Sequence, residues 1–360
     1  MRLTRRAAIT TAAAATVGGC ALLGKRERRI QPMRSPIIIA HRGASGERPE
    51  HTMAAYRLAI AQGADFIEPD LVPTRDGVLV CRHENEISAA TDVADRPEFA
   101  GRRTTKTIDG ATATGWFTED FTLAELKTLR CRERLPQLRP ANTAYDGQEA
   151  IATFEEVLDL ALSESARLGR AIGVYPETKH PTYFDALGLS HDKPLLDALR
   201  ARNLMSREAA IFIQSFEVDN LRRIAGQTDV RRVQLASQSG GPVDRPGVSY
   251  ASMMSDAGLT RISTYAGAIG VEKTMLAPRD ATGRSIAPTD LIARAHEAGL
   301  KVHAWTFRAE NYFLPLELRR GGDAPAAHGD MEAELKLLFA RGLDGAFCDF
   351  PAIGVAARGN

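Results

Sequence analysis

Three scarcities narrow the field before any motif is read. Cysteine is scarce, with four residues in 360. Only Cys81, Cys131 and Cys348 would remain after loss or acylation of Cys20. They are odd in number and lack the paired spacing of a zinc site, which excludes a disulfide framework or a zinc module as the organising principle. Cys81 and Cys348 lie in apolar runs (VLVCRH, GAFCDF) that read as buried free thiols, with a single disulfide as the alternative. Aromatics are also few, at 6%, and no basic amphipathic or aromatic-rich loop is evident that would seat the chain on a lipid surface. Surplus charge is absent: Lys plus Arg (46) nearly cancels Asp plus Glu (45), leaving a formal +1. Bulk attraction to nucleic acid is therefore not indicated, and any phosphate recognition must be local.

The chain does hold enough apolar residue, 44%, for a sizeable core, and its length fits either two average domains or one α/β barrel. Residues 1–24 read as an address: Arg5-Arg6 is a twin-arginine pair, and Ala7 to Gly19 is a weakly apolar run too short to span a bilayer. Val17-Gly18-Gly19-Cys20 resembles a bacterial lipoprotein cleavage box, the alternative being a plain signal cut nearby. The expectation is export, to a periplasmic or membrane-anchored location, with a lipid anchor at Cys20 as the only membrane contact. Residues 25–35 form a charged tether, and residues 36–360 a single domain.

From residue 37 onward short apolar runs alternate with amphipathic ones. The strand candidates are Ile37 to His41, Ala64 to Leu71, Val78 to His83, Ala171 to Glu177, Ala210 to Ser215, Val230 to Leu235, Ala266 to Val271, Lys301 to Thr306 and Gly345 to Asp349. The helix candidates are Thr52 to Gln62, Thr153 to Ser165, Leu195 to Arg202, Glu217 to Ala225, Pro288 to Ala298 and Met331 to Ala340, with Thr52, Thr289 and Asp330 as starts and Gly63, Gly299 and Gly342 as stops. Such alternation predicts a parallel sheet closed into a TIM-type (β/α)8 barrel, although nine strand candidates are one too many. The weak joint is PTRDG, from Asp70 to Val78, which leaves no room for a crossover helix: either that unit lacks its helix or the region is partly a hairpin. Residues 84–150 are too long for a bare loop and read as a folded insertion over the strand ends, with a short helix at Phe121 to Thr128. Tyr312 to His328 is a smaller insertion.

Carboxyl ends of barrel strands converge on one face, the site of catalysis in this architecture. These ends deliver His41 and Arg42, Glu68 and Asp70, His83, Glu177 and Lys179, Ser215, Trp305 and Asp349. Period two sets Glu68 and Asp70 on one side of a strand, so that with Glu177 they offer an all-oxygen set for one divalent cation, Ca2+ or Mg2+. Singly, Glu68 or Glu177 could equally pair with Arg42 or Lys179. Two histidines suit general acid and base work across one phosphorus centre, and Arg42 and Lys179 can hold phosphate oxygens.

At these residues the chain resembles the glycerophosphodiester phosphodiesterase family, in particular its exported bacterial branch. The resemblance runs in order through AHRGASGERPEHT, GADFIEPD, TRDGVLVCRHE, YPETK, QSFE, HAWTFR and FCDFP, over residues 39 to 351. It implies metal ligation by Glu68, Asp70 and Glu177, catalysis by His41 and His83, and support of metal and phosphate by Arg42, Glu50 and Lys179, with Trp305 as a wall facing the glycerol. It also implies hydrolysis of glycerophosphodiesters to sn-glycerol 3-phosphate and an alcohol, the route often considered being attack by the adjacent glycerol hydroxyl through a cyclic phosphate. Rival readings are a phospholipase C/D-like enzyme on intact phospholipid and a surface-binding lipoprotein that lost catalysis. Three positions depart from the family pattern: His51 in P-E-H-T, Glu84 after His83, and Arg308 at the end of W-T-F-R.

Overall fold

The computed structural model describes residues 35–359, residue 323 apart. The signal segment, Cys20 and nearly all of the tether lie outside those residues. Among the described residues there are thirteen strands: β1 Ile37–His41, β2 Phe66–Glu68, β3 Asp70–Pro73, β4 Leu79–Cys81, β5 Thr104–Ile108, β6 Ala111–Gly115, β7 Gly173–Val174, β8 Glu177–Thr178, β9 Phe212–Ser215, β10 Arg231–Ala236, β11 Ala268–Glu272, β12 Lys301–Phe307 and β13 Gly345–Cys348.

Their pairing closes a (β/α)8 barrel. β1 pairs in parallel with β13 on one side and β2 on the other; β2 pairs with β7, β3 with β8, and the ladder then runs β8, β9, β10, β11, β12, β13. Two staves are each broken in two by a proline, Pro69 between β2 and β3 and Pro176 between β7 and β8. Proline has no N–H to give to a ladder, so the assigned strand stops there while the chain runs on. Backbone bonds bridge the breaks, Tyr175 N–H to Ile67 O and Glu177 N–H to Pro69 O, both 2.9 Å. Counted as continuous staves, β2–β3 and β7–β8 give eight.

The ninth strand candidate is thereby resolved. Val78 to His83 is not a barrel stave: β4 returns antiparallel to β3, with Leu71 opposite Cys81. The PTRDG turn is closed by Thr74 N–H to Val78 O at 2.9 Å. The helix expected from Leu195 starts at Asp192, because Pro194 falls within the first turn, where a missing N–H costs nothing. Thr52 and Asp330 cap their helices through side-chain acceptors; the expected start at Thr289 moves to Asp290. Helices Tyr250–Met253, Asp256–Ser263 and Pro351–Arg358 were not anticipated.

Ile39, Phe66, Tyr175, Phe212, Val233 and Phe347 fill the barrel interior, so the lumen is packed and the open space lies above the carboxyl ends. The 84–150 segment has its own core, with Ile87, Val93, Trp116, Phe121 and Leu126 packed against Val72 and Val80. Its short helix spans Leu123–Leu126 and carries a capping box between Thr122 and Glu125. It also contains a hairpin, β5–β6, whose Asp109-Gly110 turn has positive φ at both residues (51° and 82°). That is the primed turn which Asp-Gly favours. Cys81, Cys131 and Cys348 are buried free thiols.

Candidate active site

Seven of the expected site residues, His41, Arg42, Glu68, His83, Glu177, Lys179 and Trp305, line one cavity of about 510 Å³ at the carboxyl ends, whereas Asp70 is buried and does not line it. Glu68 ends β2, Asp70 opens β3 and Glu177 opens β8, with Asp70 opposite Glu177 in register. Each of the three can offer one oxygen such that all three lie within 4.8 Å of one another. Glu68 accepts from Arg42 N–H (2.8 Å) and from Gln214 Nε2 (3.1 Å), and Lys179 Nζ lies 3.0 Å from Glu177 Oε1.

This cluster fits a hard divalent cation. The Oδ1 atom of Asp70 is buried without a partner, an arrangement that costs free energy unless a cation meets it. Burial, reinforced by the neighbouring carboxylates, raises Glu68 well above its usual range and Glu177 to about 8. Asp70 goes the other way: burial would raise it, but Lys179, the His51 hydrogen bond and Arg42 together hold it well below the carboxylate range. Three carboxylates that cannot all ionise comfortably are what a divalent ion relieves.

Each histidine has a carboxylate at Nδ1, buried for His41 and half-exposed for His83. His41, at the end of β1, has Nδ1 2.6 Å from Asp349 Oδ1. His83, two residues beyond β4, has Nδ1 2.9 Å from Glu84 Oε1. Asp349 is held well below the ordinary range, since Arg308, Arg139 and His41 outweigh its burial. An ionised Asp349 must accept, so His41 Nδ1 carries the proton and Nε2 keeps its lone pair. Burial, with Arg42 adding to it, lowers His41 to about 4; His83, whose side chain is 31% exposed, is also lowered, by desolvation at the cavity and then by Arg42 and Lys179. Both imidazoles are thus neutral near pH 7.

Arg42, in a left-handed conformation (φ 59°), reaches Glu50 at 3.0 Å and Asp70 at 3.3 Å. Glu50 does not line the cavity. Its carboxylate stands behind it and braces Arg42 and Arg134 together, so its reach to phosphate is indirect. Trp305 does line the cavity, its indole N–H given to Gly270 O at 3.0 Å and its ring edge-on to Phe216. Ser215 instead accepts from Glu217 N–H, off the cavity. His51 is fully buried between Asp70 (3.0 Å) and Tyr56 (2.9 Å), and so backs a ligand without facing solvent.

Sequence reading assigned no role to Gln214, Arg134, Lys273 or Arg279, all of which line the cavity, nor to Arg139. It also left Asp349 without a role. The FCDFP motif placed Asp349 at a strand end, but its pairing with His41 links residues 308 positions apart.

Barrel, acidic cluster, paired imidazoles and flanking cations together form a site whose chemistry suits a phosphate ester. Comparison with known proteins refines this. A sequence model of the "Glycerophosphoryl diester phosphodiesterase family" matches residues 41–353, and the chain belongs to that family. It is 38% identical over 327 residues to a glycerophosphodiester phosphodiesterase of Arabidopsis thaliana, covering 88% of this chain and 84% of that one. It is 27% identical to the glycerophosphodiester phosphodiesterase of Haemophilus influenzae over 97% of this chain and 96% of that one. Among solved structures the fold is similar to an Oleispira antarctica phosphodiesterase in complex with the product sn-glycerol-3-phosphate, with TM-score 0.60 and 20% identity over 91% of this chain and 98% of that one.

Proposed function

We propose that the protein hydrolyses glycerophosphodiesters to sn-glycerol 3-phosphate and an alcohol, that Glu68, Asp70 and Glu177 hold one Ca2+ or Mg2+, and that His41 and His83 move the protons. The observation that carries this reading is the juxtaposition of the acidic triad, all within 4.8 Å, with two carboxylate-gripped imidazoles on one cavity. Relatives named for the same activity support it.

A bound divalent ion would supply positive charge to offset the charge that develops on the phosphoryl oxygens. The protein's own groups do the rest. Lys179 and Arg42 flank the triad and can bind non-bridging oxygens, Arg42 with its orientation fixed by Glu50 and Asp70. Asp349 and Glu84 hold the Nδ1 edges, so each Nε2 is left to take a proton from the attacking hydroxyl or, once protonated, to give one to the leaving alcohol. Gln214 steadies Glu68. Trp305 and Phe216 form an apolar wall suited to the glycerol carbons.

Export and lipid anchoring remain part of the proposal, supported by Arg5-Arg6 and by the cleavage-box pattern before Cys20. Incubation of purified protein and either ion with glycerophosphocholine and glycerophosphoethanolamine, followed by a glycerol 3-phosphate dehydrogenase readout, tests the activity. Release that stops on chelation is expected; no turnover of any glycerophosphodiester with metal present overturns it.

A further inference from the structure

One wall of the cavity carries more cation than the phosphodiester needs. Away from the acidic triad, Arg134, Lys273, Arg279 and Arg308 all line it, against one lining carboxylate, Glu272, which accepts from Gln238 N–H. Their counter-carboxylates lie behind the wall. Glu50, Glu334 and Asp349 side chains are 6%, 7% and 3% exposed, whereas Arg134, Arg279 and Arg308 are 31%, 21% and 20% exposed. Glu334 serves two of these wall cations, Lys273 Nζ at 2.7 Å and Arg279 at 3.4 Å. Both cations also converge on the Phe313 carbonyl.

Of the aromatic rings beside these cations, Tyr312 is exposed at 63%, whereas the face of Phe313 is already taken. The Arg308 guanidinium sits 4.4 Å over the Phe313 ring, so a quaternary ammonium there would meet a like charge instead of an open π face. Guanidinium groups lining a partly desolvated cavity favour carboxylate and phosphate oxygens, which they can bind in pairs.

We propose that this wall is a subsite for the alcohol half of the diester and selects alcohols that carry an anionic group, a phosphate ester or a carboxylate, over choline-like cations. This rests on the phosphodiesterase reading and names its substrate class. Arg279 is the specificity residue best suited to a test, because it touches neither the acidic triad nor either catalytic imidazole.

The test compares kcat/KM within matched pairs on the same metal-loaded enzyme: glycerophosphoinositol 4-phosphate against glycerophosphoinositol for the phosphate source, and glycerophosphoserine against glycerophosphoethanolamine for the carboxylate source. A preference of about tenfold or more for the anionic member of at least one pair, shrinking as salt rises, is expected. Arg279→Gln should erase that preference, and Arg279→Glu should raise glycerophosphocholine above the anionic substrates, a gain that misfolding cannot produce. Ratios at or below one in both pairs, or ratios unchanged by Arg279→Glu, overturn the proposal. If no diester at all is turned over, the activity assignment fails. Calorimetric binding of inositol 4-phosphate against inositol to wild type and Arg279→Glu then decides the subsite by itself: tighter binding of the phosphate to wild type alone supports it, and equal binding overturns it.

Discussion

His41 and Asp349 meet at 2.6 Å, Nδ1 to Oδ1, from neighbouring staves at opposite ends of the chain. Asp349 is in turn fixed by Arg308 Nε at 2.9 Å and by Arg139, which also binds Glu310. The pair sets the His41 tautomer, and the arginines set the pair. Asp349→Asn keeps the shape but removes the charge that demands a proton on Nδ1. It is expected to lower kcat about 10²-fold or more, with a smaller change in KM, in a protein whose circular dichroism is unchanged. Equal kcat in variant and wild type contradicts the role.

Truncation of the imidazoles separates chemistry from binding. His41→Ala and His83→Ala are each expected to reduce kcat by about 10² to 10⁴. Because His83 is partly exposed, its loss should leave the melting temperature within a few degrees. A folded variant with full rate contradicts the assignment.

If Glu68, Asp70 and Glu177 hold the ion as proposed, metal binding and stability are linked through these three carboxylates. Ca2+ or Mg2+ at 100 times its dissociation constant stabilises the fold by about 2.7 kcal/mol, so the melting temperature should rise by a few degrees and fall back on chelation. Glu177→Gln should abolish most of that rise. The same metal-induced shift in Glu177→Gln as in wild type places the ion elsewhere.

Buried neutral histidines make the fold acid-sensitive. His303 bonds the Tyr175 hydroxyl at 2.6 Å inside the barrel, and burial lowers it to about 4. Its folded pKa lies below the unfolded value of about 6.5, so the unfolded chain binds more protons between these limits. Stability is full above about 6.5 and declines by at most about 1.4 kcal/mol per pH unit per such group down to about 4. Urea titrations from pH 7.5 to 4.5 should show that slope, and His303→Gln should reduce it. A slope identical in the variant contradicts the account.

Much of the barrel was legible because its staves are short apolar runs separated by amphipathic helices with ordinary caps. Where local rules conflicted, the reading stalled. Val78 to His83 carries the same apolar signal as a stave, and only the short PTRDG turn distinguishes an antiparallel return. The Asp109-Gly110 hairpin carried a strong local signal that was masked by its polar, exposed strands. Motif residues announced themselves through spacing, but side chains that act through others did not. Asp349 and Arg139 meet across 210 positions, and Arg279 sits in a segment with no motif, so pattern alone could not place them together. His51 shows the limit of spacing: next to Glu50 in sequence, it turns inward to Asp70 and Tyr56, out of contact with solvent.

The most direct test of the central claim is a phosphorus NMR time course of purified protein with glycerophosphoethanolamine and Ca2+ or Mg2+, run with and without excess chelator. The account predicts that the diester resonance gives way to that of sn-glycerol 3-phosphate only in the metal-containing sample, and that readdition of the ion restores the rate. Conversion that proceeds undiminished in excess chelator, or a diester resonance that persists unchanged with metal present, would contradict it.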